Sequence, residues 1–131
     1  MKVLPLLGRI LFALIFLMSG LNHLMGAGAD YAAAAGVPMA KVMVPLAGLL
    51  AFVGAISILL GYKVKYGAWL IVIFIIPVSF AMHKFWGISD PMQQQMQMAM
   101  FMKNVAILGG ALLLAYFGPG PYSIDRIKNK E

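Results

Sequence analysis

The stretch PLLGRILFALIFLMSGLNHLM, residues 5–25, carries only two ionisable side chains, Arg9 and His23. About 20 consecutive apolar residues, wound as a helix, cross a hydrocarbon core of ~30 Å, so this segment is long enough to span a bilayer. Three more stretches of the same character lie at about 42–60, 67–86 and 97–117, separated by short polar turns. In lipid, backbone N–H and C=O groups find partners only within a helix or a closed barrel. The apolar runs are continuous, not alternating, which excludes the barrel. The sequence therefore predicts an all-α fold: an integral membrane four-helix bundle, antiparallel, formed by residues 1–131 as a single domain with a tail at 118–131.

Composition agrees. Of 131 residues, 63% are hydrophobic and 11% charged, against about 25% charged in soluble domains. Cysteine is absent, which removes thiol–disulfide chemistry and iron–sulfur ligation by the chain's own thiolates. Paired carboxylates, a Ser/His/Asp set and a phosphate loop are also missing, so the common hydrolytic mechanisms have no residues to run on.

The net charge of +6 reads as topology, not as a nucleic-acid footprint. With four crossings, Lys2, Arg9, Lys63, Lys65, Arg126, Lys128 and Lys130 fall on one side, while Asp30, Lys41, Lys84 and Asp90 nearly cancel on the other. The positive-inside rule then puts both termini in the cytoplasm. Lys2 before the first apolar run and Ala27-Gly28-Ala29 after it would also suit a cleaved signal peptide.

The few polar residues in the spans carry the functional signal. Arg9, Phe12, Phe16, Ser19 and His23 recur at steps of three and four, one stripe of a helix, with Asn22 beside it. Asp30 to Pro38 reads as a short interfacial helix in the first outer loop, capped by Asp30, ended by Gly36 and Pro38. In span three, Ser79, His83 and Trp86 follow Pro77 at helical spacing, and Pro77 predicts a kink. Lys103 and Asn104 lie a turn or two inside span four. At 1.5 Å per residue, His23 and His83 stand roughly 27 and 24 Å from the starts of their spans, a shared outer level. The expected site is thus His23, His83, Asn22, Ser19, Trp86, Lys103 and Asn104, with His23 and His83 as the cofactor-binding pair. Arg9 is expected to anchor the cytoplasmic end or pair with Asp125.

Three other accounts compete. Groups near helix ends are often merely solvated at the interface. Two histidines at matched depth suit axial ligation of a b-type haem. Met92, Met96 and Met100 share a helix face, and soft thioethers suit copper, although methionine is also a flexible apolar filler.

The same residues carry a family resemblance. The ordered pieces are Gly8-Arg9-Ile10, Phe16-Leu17-Met18-Ser19-Gly20, Gly36-Val37-Pro38, Gly67-Ala68, Ile76-Pro77, His83-Lys84-Phe85-Trp86, Lys103-Asn104, Gly118-Pro119-Gly120 and Ser123-Ile124-Asp125. Together the chain resembles DoxX-family membrane proteins over nearly its full length. The resemblance implies a four-helix bundle in the bacterial cytoplasmic (inner) membrane and an association with quinone-linked oxidoreductase complexes. Many relatives carry a Glu in span two where this chain has Ala51, so a proton route through that position is missing here. The expected function is a redox-associated subunit, not catalytic alone, that binds a quinone or similar amphipathic ligand near the outer face. The alternative is a non-catalytic accessory or assembly subunit of a membrane complex, contacting a protein partner or a second copy. A transporter is disfavoured because no acidic residue lies within the spans.

Overall fold

A computed structural model describes residues 1–129; Lys130, counted above with the inner charges, lies outside them. Six helices follow in order: α1 (Leu4–Leu24), α2 (Ala29–Ala34), α3 (Ala40–Leu60), α4 (Val64–Met82), α5 (Pro91–Phe117) and α6 (Ile124–Lys128). No strand occurs among the described residues. The long helices α1, α3, α4 and α5 each suffice in length and composition to cross a membrane, so the molecule is a four-helix membrane bundle.

Neighbours run antiparallel. Gly20 of α1 lies against Gly48 and Phe52 of α3, while Arg9 reaches Gly61 just past the end of α3. Gly54 and Ser57 of α3 meet Gly67 of α4, and Phe80 of α4 meets Phe101 of α5. These backbones approach closely because lipid tails offer helices little hydrophobic reason to associate, leaving van der Waals fit as the drive. Phe16, Ile58, Ile71, Phe74 and Ile75 fill the centre, with the Phe16 and Phe74 rings edge-on at 6.0 Å. The buried face of α1 is Arg9, Ala13, Phe16 and Gly20, a 3.6-residue period rotated slightly from the expected stripe.

Two boundaries differ from expectation. Span three ends at Met82 instead of running to residue 86, so Trp86 leaves the helical register of Ser79 and His83. The chain turns there because Phe85 and Trp86 fold back onto Phe101, with ring centroids at 5.6 and 5.9 Å. Span four starts at Pro91, six residues before the expected 97. Asp90 caps it by accepting from the Met92 N–H at 3.1 Å, and Pro91 occupies the first turn, where its missing N–H is harmless. The short interfacial helix is present, yet Gly28, not Asp30, is its N-cap. Gly28 takes φ 87°, which places Asp30 inside the first turn instead.

At the end carrying both termini, the tail closes over the bundle. The Asp125 carboxylate accepts from the Lys63 N–H at 2.8 Å and the Val64 N–H at 3.2 Å, capping α4 from 61 residues away. The Asp125 N–H in turn donates to the Gly61 carbonyl at 2.9 Å. Asp125→Ala should cost about 0.5–2 kcal/mol, the range for losing a helix cap. Thermal unfolding in detergent measures it; an unchanged Tm would mean the tail is not anchored here.

Candidate functional site

At the opposite end, α2 lies across the mouths of α3 and α4. Ala29 and Ala32 of α2 pack on Ala40 and Val44 of α3, with Val37 and Met82 alongside. Small side chains let this lid sit close. Beneath it is a cavity of about 140 Å³ whose walls include His23, Gly28, Ala32, Val44, Phe74 and Met82. An apolar cavity near ~150 Å³ accommodates a single six-membered ring.

His23 is the polar group in this apolar wall. Its Nδ1 lies 2.5 Å from the Ser19 carbonyl. A carbonyl oxygen only accepts, so Nδ1 carries a proton, and in the neutral tautomer that this bond selects the Nε2 lone pair is free. The ring edge bearing Nε2 and Cδ2 faces Gly28. The other side of the ring meets Phe74, centroids 6.4 Å apart. The site therefore offers one hydrogen-bond acceptor at the head of an apolar slot. That arrangement suits a hydroxyl-bearing ring.

His83 has different surroundings. Its Nδ1 donates to Gln97 Oε1 at 3.0 Å, and Gln97 Nε2 donates to the Tyr31 hydroxyl at 3.3 Å. This chain joins the end of α4, the first turns of α5 and the lid. Tyr31, Met82, Lys84, Met96 and Gln97 also border a second, open cavity of about 670 Å³. Neither Tyr31 nor Gln97 stood out in the sequence, because each is one of several similar residues separated by long stretches of chain.

The remaining expected residues divide. Ser19 contributes its backbone carbonyl. Asn22 is exposed. Trp86 is 46% exposed and belongs to the aromatic group with Phe80, Phe85 and Phe101. Lys103 is exposed and points its ammonium at the Met100 sulfur, 3.7 Å away. Asn104 is 6% exposed and faces the bundle from α5. Span four thus supplies no wall of the His23 cavity, and the convergence of three spans on one pocket is replaced by two neighbouring polar centres.

Of the cofactor alternatives, bis-histidine haem loses its pair, because His83 does not line the His23 cavity. A cationic group against Met100 works against Cu(I) on that methionine face. Among the described residues no cluster of three or more His, Asp or Glu side chains could hold a metal.

Of the two roles expected for Arg9, it takes the anchor at the end carrying both termini and not the pair with Asp125. Asp125 is committed to α4, so the expected ion pair does not form. Arg9 instead sends Nη2 to the Tyr122 carbonyl at 2.5 Å, with the Pro121 carbonyl at 3.5 Å.

Comparison with known proteins fits this architecture. The chain is 39% identical over 128 residues to inner membrane protein YqjF of Escherichia coli K12, covering 96% of this chain and 92% of that protein. It is 34% identical over 126 residues to inner membrane protein YphA of the same organism, covering 95% and 89%. A Surfeit locus protein 4 homolog of Schizosaccharomyces pombe is 27% identical over 124 residues, covering 94% of this chain but 37% of that protein. No solved structure matches. The DoxX family itself matches residues 4–84, the segment from α1 through the His23 cavity to His83, and the chain belongs to that family.

Proposed function

We propose that this DoxX-family protein is a redox-associated subunit of the bacterial inner membrane that binds a quinone or similar amphipathic ligand beneath the α2 lid. Both termini lie in the cytoplasm in this reading, which the lysine and arginine distribution supports. The inner-membrane relatives support the location.

The observation that carries the reading is the fixed tautomer of His23. With Nδ1 donating to the Ser19 carbonyl, Nε2 accepts a hydrogen bond from a ring hydroxyl or takes its proton. The apolar walls suit the ring, and an isoprenoid-like tail would lie in the surrounding lipid. Bound quinone would supply two-electron chemistry, while this chain supplies orientation and a proton acceptor. When a quinol gives its proton to His23 its electrons pass to a partner protein, since neither cysteine nor a cluster of three or more His, Asp or Glu side chains is available in the described residues.

His23→Ala should reduce quinone copurifying from mild detergent by roughly three- to tenfold, the ratio for one lost hydrogen bond. His83→Ala should leave it close to wild type. Equal quinone content in His23→Ala and wild type would sink the assignment. A non-catalytic accessory role is the second reading, favoured by α5, which buries only Asn104 and Ala111 along its length and offers a face to another helix. Recovery of a larger complex that survives His23→Ala and contains no quinone would support it.

A further inference from the structure

At the end opposite the lid, α1 and α5 meet without close backbone packing; Phe12 fills the gap against Gly110. Below that contact a groove of about 350 Å³ runs between Pro5, Gly8, Leu114, Phe117 and the Gly118–Gly120 turn, with Arg9 in its wall. Arg9 is 1% exposed. Only Nη2 is bonded, and only to carbonyls. Nε and Nη1 are buried without any partner, Nη1 packed against Gly61 and Ser123 at the tail.

Buried donors in native proteins are nearly always satisfied, and an orphan calls for a missing ion, water or ligand. The cost is higher for a charged group, and at Arg9 desolvation outweighs the through-space attraction of Asp125. Arg9 sits five residues into α1, roughly 8 Å along its axis, near the level where lipid headgroups give way to acyl chains. The surrounding field is positive. Lys65 lies within 4 Å of where a side chain at Gly118 would begin, and Lys2 and Arg126 flank Tyr122 on the other side of the tail. Asp125 is the one acid at this end among the described residues, and its oxygens are occupied by α4.

We propose that this groove is a site for an anionic phospholipid, its phosphate oxygens on the orphan Nε of Arg9 and an acyl chain along the α1–α5 seam. Guanidinium groups recognise phosphate through several fixed N–H donors, and basic pockets between transmembrane helices take anionic headgroups in this way. The apolar groove walls suit the chain, and a free anion would leave them uncovered. This site is separate from the His23 cavity and does not depend on it.

The test uses the full chain, delipidated in mild detergent and titrated with phosphatidylglycerol, phosphatidylcholine or inorganic phosphate. Native mass measurement should find phosphatidylglycerol retained and phosphatidylcholine washed away, and thermal unfolding should rise with phosphatidylglycerol alone. Arg9→Gln should bind phosphatidylglycerol roughly tenfold more weakly, the ratio for losing one charge-assisted hydrogen bond. If that variant does not fold, Leu114→Trp decides: it keeps Arg9, fills the groove, and should lose the lipid. Equal retention of the two lipids, or unchanged retention in the folded variants, overturns the site. Stabilisation by inorganic phosphate equal to that by phosphatidylglycerol overturns the lipid and leaves a small oxyanion.

Discussion

Gly48→Ala is expected to cost about 3 kcal/mol or more, an effect at the upper end of overpacking penalties. A methyl group there would collide with the Leu24 nitrogen and stand 2.7 Å from the Gly20 carbonyl oxygen and 2.8 Å from the His23 carbonyl carbon. All three are backbone atoms, so no rotamer change relieves the collision and α1 must move away from α3. Gly20 locks the pair from the other side, since a methyl on it would come within 2.8 Å of the Phe52 nitrogen. The displaced segment carries His23, so ligand retention should fall together with Tm. Gly109→Ala is the control. It is also helical, but nothing lies within 4 Å of the added carbon, so it should be neutral or up to about 1 kcal/mol stabilising. Equal Tm values for the two variants in detergent would show that the α1–α3 approach is looser than described.

That interlock also marks where sequence reading stops. Hydropathy located every span, because crossing a bilayer requires length and apolarity that a single segment displays by itself. The lid was legible for a similar reason: an alanine run closed by Gly36 and Pro38 has few other conformations. The α5 start was written in Asp90-Pro91, a local cap signal, but hydropathy masked it because Gln93, Gln94 and Gln95 are polar. Gly48 could not be singled out, because its importance depends on which atoms of α1 it meets. The histidines illustrate the same limit. Counting residues put them at the ends of α1 and α4, where His23 lies in the last turn and His83 is the C-cap. It gave nothing about azimuth, and azimuth decides that His23 faces a cavity while His83 turns to Gln97. Arg9 was placed on the inward stripe, yet its partners are carbonyls 112 and 113 residues away, a pairing that no local pattern encodes.

Gly61→Ala is the second large expected effect, again about 3 kcal/mol or more, and it acts on the tail. Gly61 ends α3 with φ 69°, a left-handed conformation that costs an L-residue about 1–2 kcal/mol. A methyl group at Gly61 would also collide with Arg9 Nη1 and with the backbone of Ser123. Those residues hold the tail: Arg9 binds the Tyr122 carbonyl, and the Ser123 hydroxyl donates to the Gly120 carbonyl at 2.7 Å. Tyr122 itself takes φ 54°, a strain offset by its carbonyl meeting the guanidinium. Pushing Ser123 outward should therefore break the Tyr122 bond, the Asp125 N–H bond to Gly61, and the cap on α4 in one step. Gly36→Ala separates the two contributions. Its φ is 91° with nothing within 4 Å of an added carbon, so it bears the backbone cost alone. Hydrogen exchange at the Lys63 and Val64 amides reads the release directly, because local opening exposes donors that the Asp125 carboxylate now shields. Faster exchange there in Gly61→Ala, but not in Gly36→Ala, is the expected pattern. Unchanged exchange in both would mean that Arg9, Gly61 and Ser123 do not act as one clamp.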